Sequence, residues 1–211
     1  MNAKNTLSDA SFGILGDSYS TFRGFIPQGN SGYYPSKEVD DVLQVEDTWW
    51  HQLMTKHNMN LLVNDSYSGA TVCTHTRDGQ PFESAFTERA KRSFSGDIKP
   101  DYIFVFGCTN DSWLDRTVGE PKFDNRTEED LRCVLPAYSF CLEYLTKQNP
   151  QAEIVAVINS ELKPEITAGM IIAAEHYGAT VVALENIDKQ HGHPTALGMR
   201  QIVEQIEAAL A

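Results

Sequence analysis

Five short apolar runs recur along the chain, at residues 12–15, 60–63, 102–106, 154–158 and 180–184, each bounded by Gly, Asn, Asp or Pro. Continuous apolar runs of this length, closed by turn formers, predict strands buried on both faces of a parallel sheet. Between them the pattern changes to a helical period. Residues 47–57 open on an acid suited to an N-cap. Residues 127–148 open on Thr127, Glu128, Glu129 and Asp130, a capping-box pattern, and Pro136 is expected to kink or split that helix. Residues 163–177 run up to Gly178, placed to end a helix. Residues 195–210 put Met199, Ile202, Val203, Ile206 and Leu210 on one stripe. Strands alternating with helices predict an α/β protein with a parallel sheet covered on both sides. With no repeat, low-complexity tract or linker, residues 1–211 are expected to form one domain. Residues 23–46 break the rhythm: they are rich in Gly, Pro and Tyr and lack periodicity, and loops of that length usually carry function or are disordered.

The chain has 211 residues, enough to bury a substantial core. Its formal charge of −12 argues against a nucleic-acid partner, because phosphate binding needs clustered Lys and Arg. The densest basic stretch, Arg89 to Arg92, reads as the solvated face of a helix. Cys73, Cys108, Cys133 and Cys141 form no CxxC pair and match no zinc spacing, so free thiols and no metal are expected. No apolar run has the length of a membrane span, so no membrane partner is expected. The opening residues lack the apolar core of a secretory leader, and the expected location is cytoplasmic.

In open parallel sheets, ligands bind beyond the carboxyl ends of the strands. The first strand is followed by Gly16, Asp17 and Ser18; the second by residues 64–70, NDSYSGA; the third by residues 107–113, GCTNDSW. Beyond the fifth come residues 188–199, DKQHGHPTALGM. These loops gather a serine, a glycine, an asparagine and a histidine at one sheet edge. A serine hydroxyl needs a base to become a nucleophile, and histidine is the usual one near neutral pH. Backbone N–H groups and an Asn amide are the donors that stabilise the oxyanion of acyl transfer. Taken singly, Ser18 could cap a helix, Asn110 could hold a turn, and His193 could be structural.

The four blocks together resemble the SGNH (GDSL) hydrolase superfamily. GDSYS matches its first block and places Ser18 as nucleophile; NDSYSGA resembles the second, with Gly69 as backbone donor. TND resembles the third, with Asn110 as side-chain donor, and HGHPTALGM the last, with His193 as base. The resemblance implies a flavodoxin-like three-layer α/β/α sandwich with a five-stranded parallel sheet. It implies hydrolysis of esters with Ser18, Gly69 and Asn110 forming the oxyanion hole, and no metal or organic cofactor. Two positions depart from the family pattern. Cys108 stands where the third block carries glycine, and Gln190 stands three residues before the base, where the family carries an aspartate. Asp188 is the nearest upstream acid. Either it completes a triad, or a neutral acceptor such as a backbone carbonyl orients the imidazole in a Ser–His dyad.

The reading that follows is a serine esterase acting on small acyl, above all acetyl, esters, with a small-molecule or glycan ester as substrate. Trp113, Tyr67 and Asp111 are the expected substrate contacts, and Tyr33 and Tyr34 lie in a loop expected near them. Ordinary packing explains those aromatics equally well. A general short-chain carboxylesterase, or a non-catalytic carbohydrate-binding relative, is the alternative.

Overall fold

A computed structural model describes residues 7–211; residues 1–6, part of the stretch read for a leader, lie outside the described residues. The strands are β1 (Ser11–Gly16), β2 (Asn60–Ser66), β3 (Tyr102–Gly107), β4 (Glu153–Ile158) and β5 (Thr180–Ala183). They form an all-parallel sheet in the order β2-β1-β3-β4-β5. The chain therefore steps one way from β1 to β2 and the other way from β3 onward. In doubly wound sheets that reversal opens a crevice between β1 and β3 at their carboxyl ends.

Successive residues of a strand face opposite sides, and the central strand β3 is apolar on both. Phe104 and Phe106 join Phe12 and Ile14 against α1 (Trp49–Lys56) and α6 (Ala196–Leu210). Ile103 and Val105 join Leu15 and Ala156 against α2 (Phe86–Ser93), α4 (Val134–Gln148) and α5 (Pro164–His176). The result is the expected three-layer α/β/α arrangement. A short helix, α3 (Thr109–Trp113), follows β3, and a small hairpin pairs β6 (Lys189–Gln190) with β7 (His193–Pro194).

The structure departs from the sequence pattern in instructive places. β2 and β5 are edge strands, so they are not buried on both faces: Asn60 and Leu62 of β2 are exposed. Residues 127–148 do not form one helix. Thr127 and Asp130 exchange the capping-box bonds around a single 3-10 turn, Asp130–Arg132, and α4 starts afresh after an extended Cys133. Pro136 then falls in the first turn of α4, where the backbone N–H has no intrahelical partner, so the helix continues through it. Arg89 is on a helix but not on its solvated face. It is fully buried, lies over the Phe86 ring and pairs with the buried Asp65 at 3.9 Å. Only the exposed Lys91 and half-exposed Arg92 fit the solvated reading, and Arg92 also turns to Asp65, at 2.8 Å. The four cysteines are free thiols. Among the described residues, no helix is long and apolar enough to cross a membrane.

Candidate active site

The registers of β1, β2 and β3 bring three of the sequence blocks to one level. Gly16 pairs with Ser66 on one side and with Phe106 on the other. The strand ends sit close together: a Cβ added to Gly16 would lie 2.5 Å from the Ser66 hydroxyl. Asp17 anchors the turn that follows, donating its N–H to the Phe106 carbonyl and accepting the Tyr19 N–H on its carboxylate. That carboxylate is fully buried, and burial pushes its pKa up to about 7. Its part is to cap the 3-10 turn Ser18–Ser20.

Ser18 opens that turn and is 2% exposed. Its Oγ lies 3.0 Å from Nε2 of His193, although 175 positions separate the two residues. His193 is carried by the hairpin, whose two-residue loop, His191 and Gly192, has positive φ at both positions, as the tight hairpin turn requires. The turn folds the His191 carbonyl back to 3.2 Å from Nδ1 of His193. A carbonyl can only accept, so Nδ1 carries the proton and Nε2 presents its lone pair to Ser18. Burial pulls the His193 pKa below the ordinary histidine range; the His191 carbonyl and the Glu38 carboxylate oppose that shift, and the Lys189 ammonium adds to it.

Asp188 does not lie against this ring. Its carboxylate receives the hydroxyl of Thr195, which in turn caps α6 by accepting the N–H of Gly198. The acid that sequence spacing offered for a triad is thus spent on the helix start, and a backbone carbonyl stands at Nδ1.

The second and third blocks meet around α3. Asn110 donates from Nδ2 to the Ala70 carbonyl at 3.0 Å. Asp111 is fully buried and accepts the N–H groups of Val72 and Cys73, so it braces this loop and is not placed to touch a substrate. Gly69 sits at φ +85°, a conformation that favours glycine, and a Cβ there would also have to displace the end of the Gln80 side chain, 2.4 Å away. Among the described residues, the N–H groups of Ser18 and Gly69 have no backbone acceptor, while Asp17, Ser68 and Ala70 donate to carbonyls and Tyr19 to the Asp17 carboxylate. Cys108 adopts φ +68°, the left-handed region in which glycine is the unstrained residue.

Trp113 is 48% exposed, and its ring meets the His193 ring edge-on with centroids 5.6 Å apart. Tyr67 is half-buried and packs against the α2/α4 side of the sheet. The sequence placed Tyr33 and Tyr34 only in a loop near the site, and gave Tyr19 and Lys189 no part in it. Tyr19 donates its hydroxyl to the Gly192 carbonyl, and Tyr34 donates to the Pro194 carbonyl at 2.7 Å. Lys189 is held by Asn159, Ser160 and Glu161 beyond β4. Tyr33 stacks on His193. The aromatic density of residues 23–46 was the available signal for two of these. Among the described residues, no group of three or more His, Cys, Asp or Glu is arranged to hold a metal ion.

The doubly wound parallel sheet thus carries a serine–histidine pair at its carboxyl edge. The model of the GDSL-like lipase/acylhydrolase family matches residues 10–210, and the chain belongs to that family. Among solved structures it is similar to a protein of Bacteroides ovatus classed with the GDSL-like lipases (38% identity, 95% of this chain and 97% of that one, TM-score 0.87). A protein of the same class from Bacteroides uniformis is equally similar (38% identity, 94% and 93% covered, TM-score 0.86). An acetyl xylan esterase of the rumen bacterium Butyrivibrio proteoclasticus shares the fold (18% identity, 95% and 63% covered, TM-score 0.61). A comparison with curated proteins finds no match.

Proposed function

We propose that the protein is a serine esterase that removes small acyl groups, acetyl in the first place, from carbohydrate esters. The observation that carries this reading is the 3.0 Å approach of His193 Nε2 to Ser18 Oγ, with Nδ1 held by a carbonyl. Ser18 Oγ attacks the ester carbonyl carbon as its proton passes to Nε2. The oxyanion is received by the N–H groups of Ser18 and Gly69 and by the Asn110 amide. The imidazolium then protonates the leaving alcohol, the C–O bond breaks, and Ser18 holds the acyl group. Water, deprotonated by His193, attacks that carbonyl; collapse releases the carboxylic acid and restores Ser18. The acid of a full triad both orients the base and stabilises the imidazolium. Here Ser18 and His193 act as a dyad, and the His191 carbonyl takes the orienting part.

The carbohydrate assignment is supported by the half-exposed Trp113 ring beside the imidazole, a surface on which a sugar could stack, and by the shared fold with an acetyl xylan esterase. The test is acetate release from a panel of acetylated glycans, with p-nitrophenyl acetate as the general ester, for wild type, Ser18→Ala and His193→Ala. Release from a glycan that both variants abolish supports the reading. Turnover of the small ester alone makes the protein a general short-chain carboxylesterase. Glycan binding without turnover makes it a non-catalytic relative.

A further inference from the structure

We propose that Tyr33 is a positioning residue for the base: its ring, stacked on the His193 imidazole, supplies orientation that a carboxylate would supply in a triad. This role rests on the esterase reading above. The two rings lie 3.6 Å apart between centroids and 7° from parallel. Three other rings approach His193, those of Tyr19, Trp113 and Tyr34, at 5.4, 5.6 and 6.5 Å and at steep angles. Of the four, Tyr33 alone covers a face at contact distance. A single hydrogen bond from Nδ1 to a carbonyl fixes one point of the imidazole and leaves its plane free to tilt. A parallel ring at contact removes that freedom and so holds Nε2 on Ser18.

Tyr33 can do this because it is itself fixed to both partners of the pair. Its N–H donates to the Thr21 hydroxyl at 2.9 Å, and that hydroxyl donates to the Ser18 carbonyl at 2.9 Å. The next residue, Tyr34, donates to the Pro194 carbonyl, one residue beyond the base. The main chain at Tyr34 pairs with the strand-like stretch after Ser18, through Arg23 N–H to the Tyr34 carbonyl at 2.9 Å. Residues 33 and 34 therefore bridge the turn that carries the nucleophile and the hairpin that carries the base. This gives residues 23–46 a function that periodicity could not.

The stack has a chemical consequence as well. A positive charge over an aromatic face is stabilised by the ring's electron density. The imidazolium formed when Ser18 attacks would sit on that face. At the far end of the ring, the Tyr33 hydroxyl donates to Glu38 at 3.1 Å, which places a carboxylate on the same side. The charged groups that act on the imidazole are Glu38, which favours protonation, and Lys189, which opposes it. The phenols of Tyr19, Tyr33 and Tyr34 also face it.

The experiment compares wild type with Tyr33→Phe, Tyr33→Leu and Tyr33→Met, using p-nitrophenyl acetate turnover, the rate of phosphonylation of Ser18 by a serine-directed phosphonate, and Tm. The expected result is a loss of about 10- to 100-fold in kcat and in labelling rate for Leu and Met, the scale of a misplaced catalytic group. KM should change little, and Phe, which keeps the ring, should restore the rate to within about threefold. Met serves where Leu lowers Tm sharply, because its flexible chain fills the space without a plane. A folded Leu or Met variant as active as wild type, or a Phe variant as impaired as either, overturns the role of Tyr33. A wild type that neither turns over the ester nor takes the phosphonate overturns the esterase reading itself, and this role with it.

Discussion

The imidazole of His193 is held at Nδ1 by the carbonyl of His191, two residues earlier in the same hairpin turn. The Asp188 carboxylate instead receives the Thr195 hydroxyl at the start of α6. Asp188→Asn should therefore leave kcat for p-nitrophenyl acetate within about threefold of wild type, where loss of a true triad acid costs about 10⁴. The same substitution should cost about 1 kcal/mol in urea denaturation, because it weakens the group that holds the helix cap.

The base must be neutral to accept the Ser18 proton, so activity falls as pH drops through the His193 pKa. Burial sets that pKa below the ordinary histidine range. The acid limb of kcat/KM should therefore lie below about pH 6.5, the unperturbed value. Glu38 favours the protonated ring, so Glu38→Gln should move the limb to still lower pH. A pH profile of both proteins checks the sign; a limb that moves upward in the variant contradicts it.

Asn110 is the side-chain donor we propose for the oxyanion. Asn110→Ala should lower kcat by about 10²–10³ with little change in KM, the cost of losing one such donor. Asn110 also holds the Ala70 carbonyl. Asn110→Asp, which keeps the shape but not the donor, should be equally impaired and should also melt lower, because a buried acceptor would then face the Ala70 carbonyl.

The sheet, its helix layers and the four loop blocks were legible in the sequence because each rests on local signals: apolar runs, caps and short motifs. What was not legible depends on side chains meeting across the fold. The pattern around Arg89 looks like a solvated helix face, yet Asp65, distant in sequence, draws it fully inside. Asp111 reads as a polar residue beside the site until the Val72 and Cys73 N–H groups are seen to bind it. Whether Asp188 or a carbonyl would orient the base turned on the path of a two-residue hairpin loop, which motif spacing does not encode. Tyr33 belongs to a loop without periodicity, so nothing local could place its ring on His193.

The burial of Arg89 carries its own expectation. Among the described residues, Arg89→Met leaves Asp65 with only the half-exposed Arg92 as an ionic partner. Removing one partner from a buried pair should cost about 3 kcal/mol in urea denaturation. Arg92→Met should cost about 1 kcal/mol or less, because its exposed end is screened by solvent. Equal costs at the two positions would show that burial does not govern this network.

The central claim is that Ser18, activated by His193, is the atom that attacks. Reaction with a serine-directed phosphonate, followed by intact mass and peptide mapping, tests it most directly. The account predicts one adduct per chain, located on Ser18, absent in Ser18→Ala and strongly slowed in His193→Ala. Ester turnover that proceeds with no adduct on Ser18, or an adduct that forms as fast without the imidazole, would contradict it.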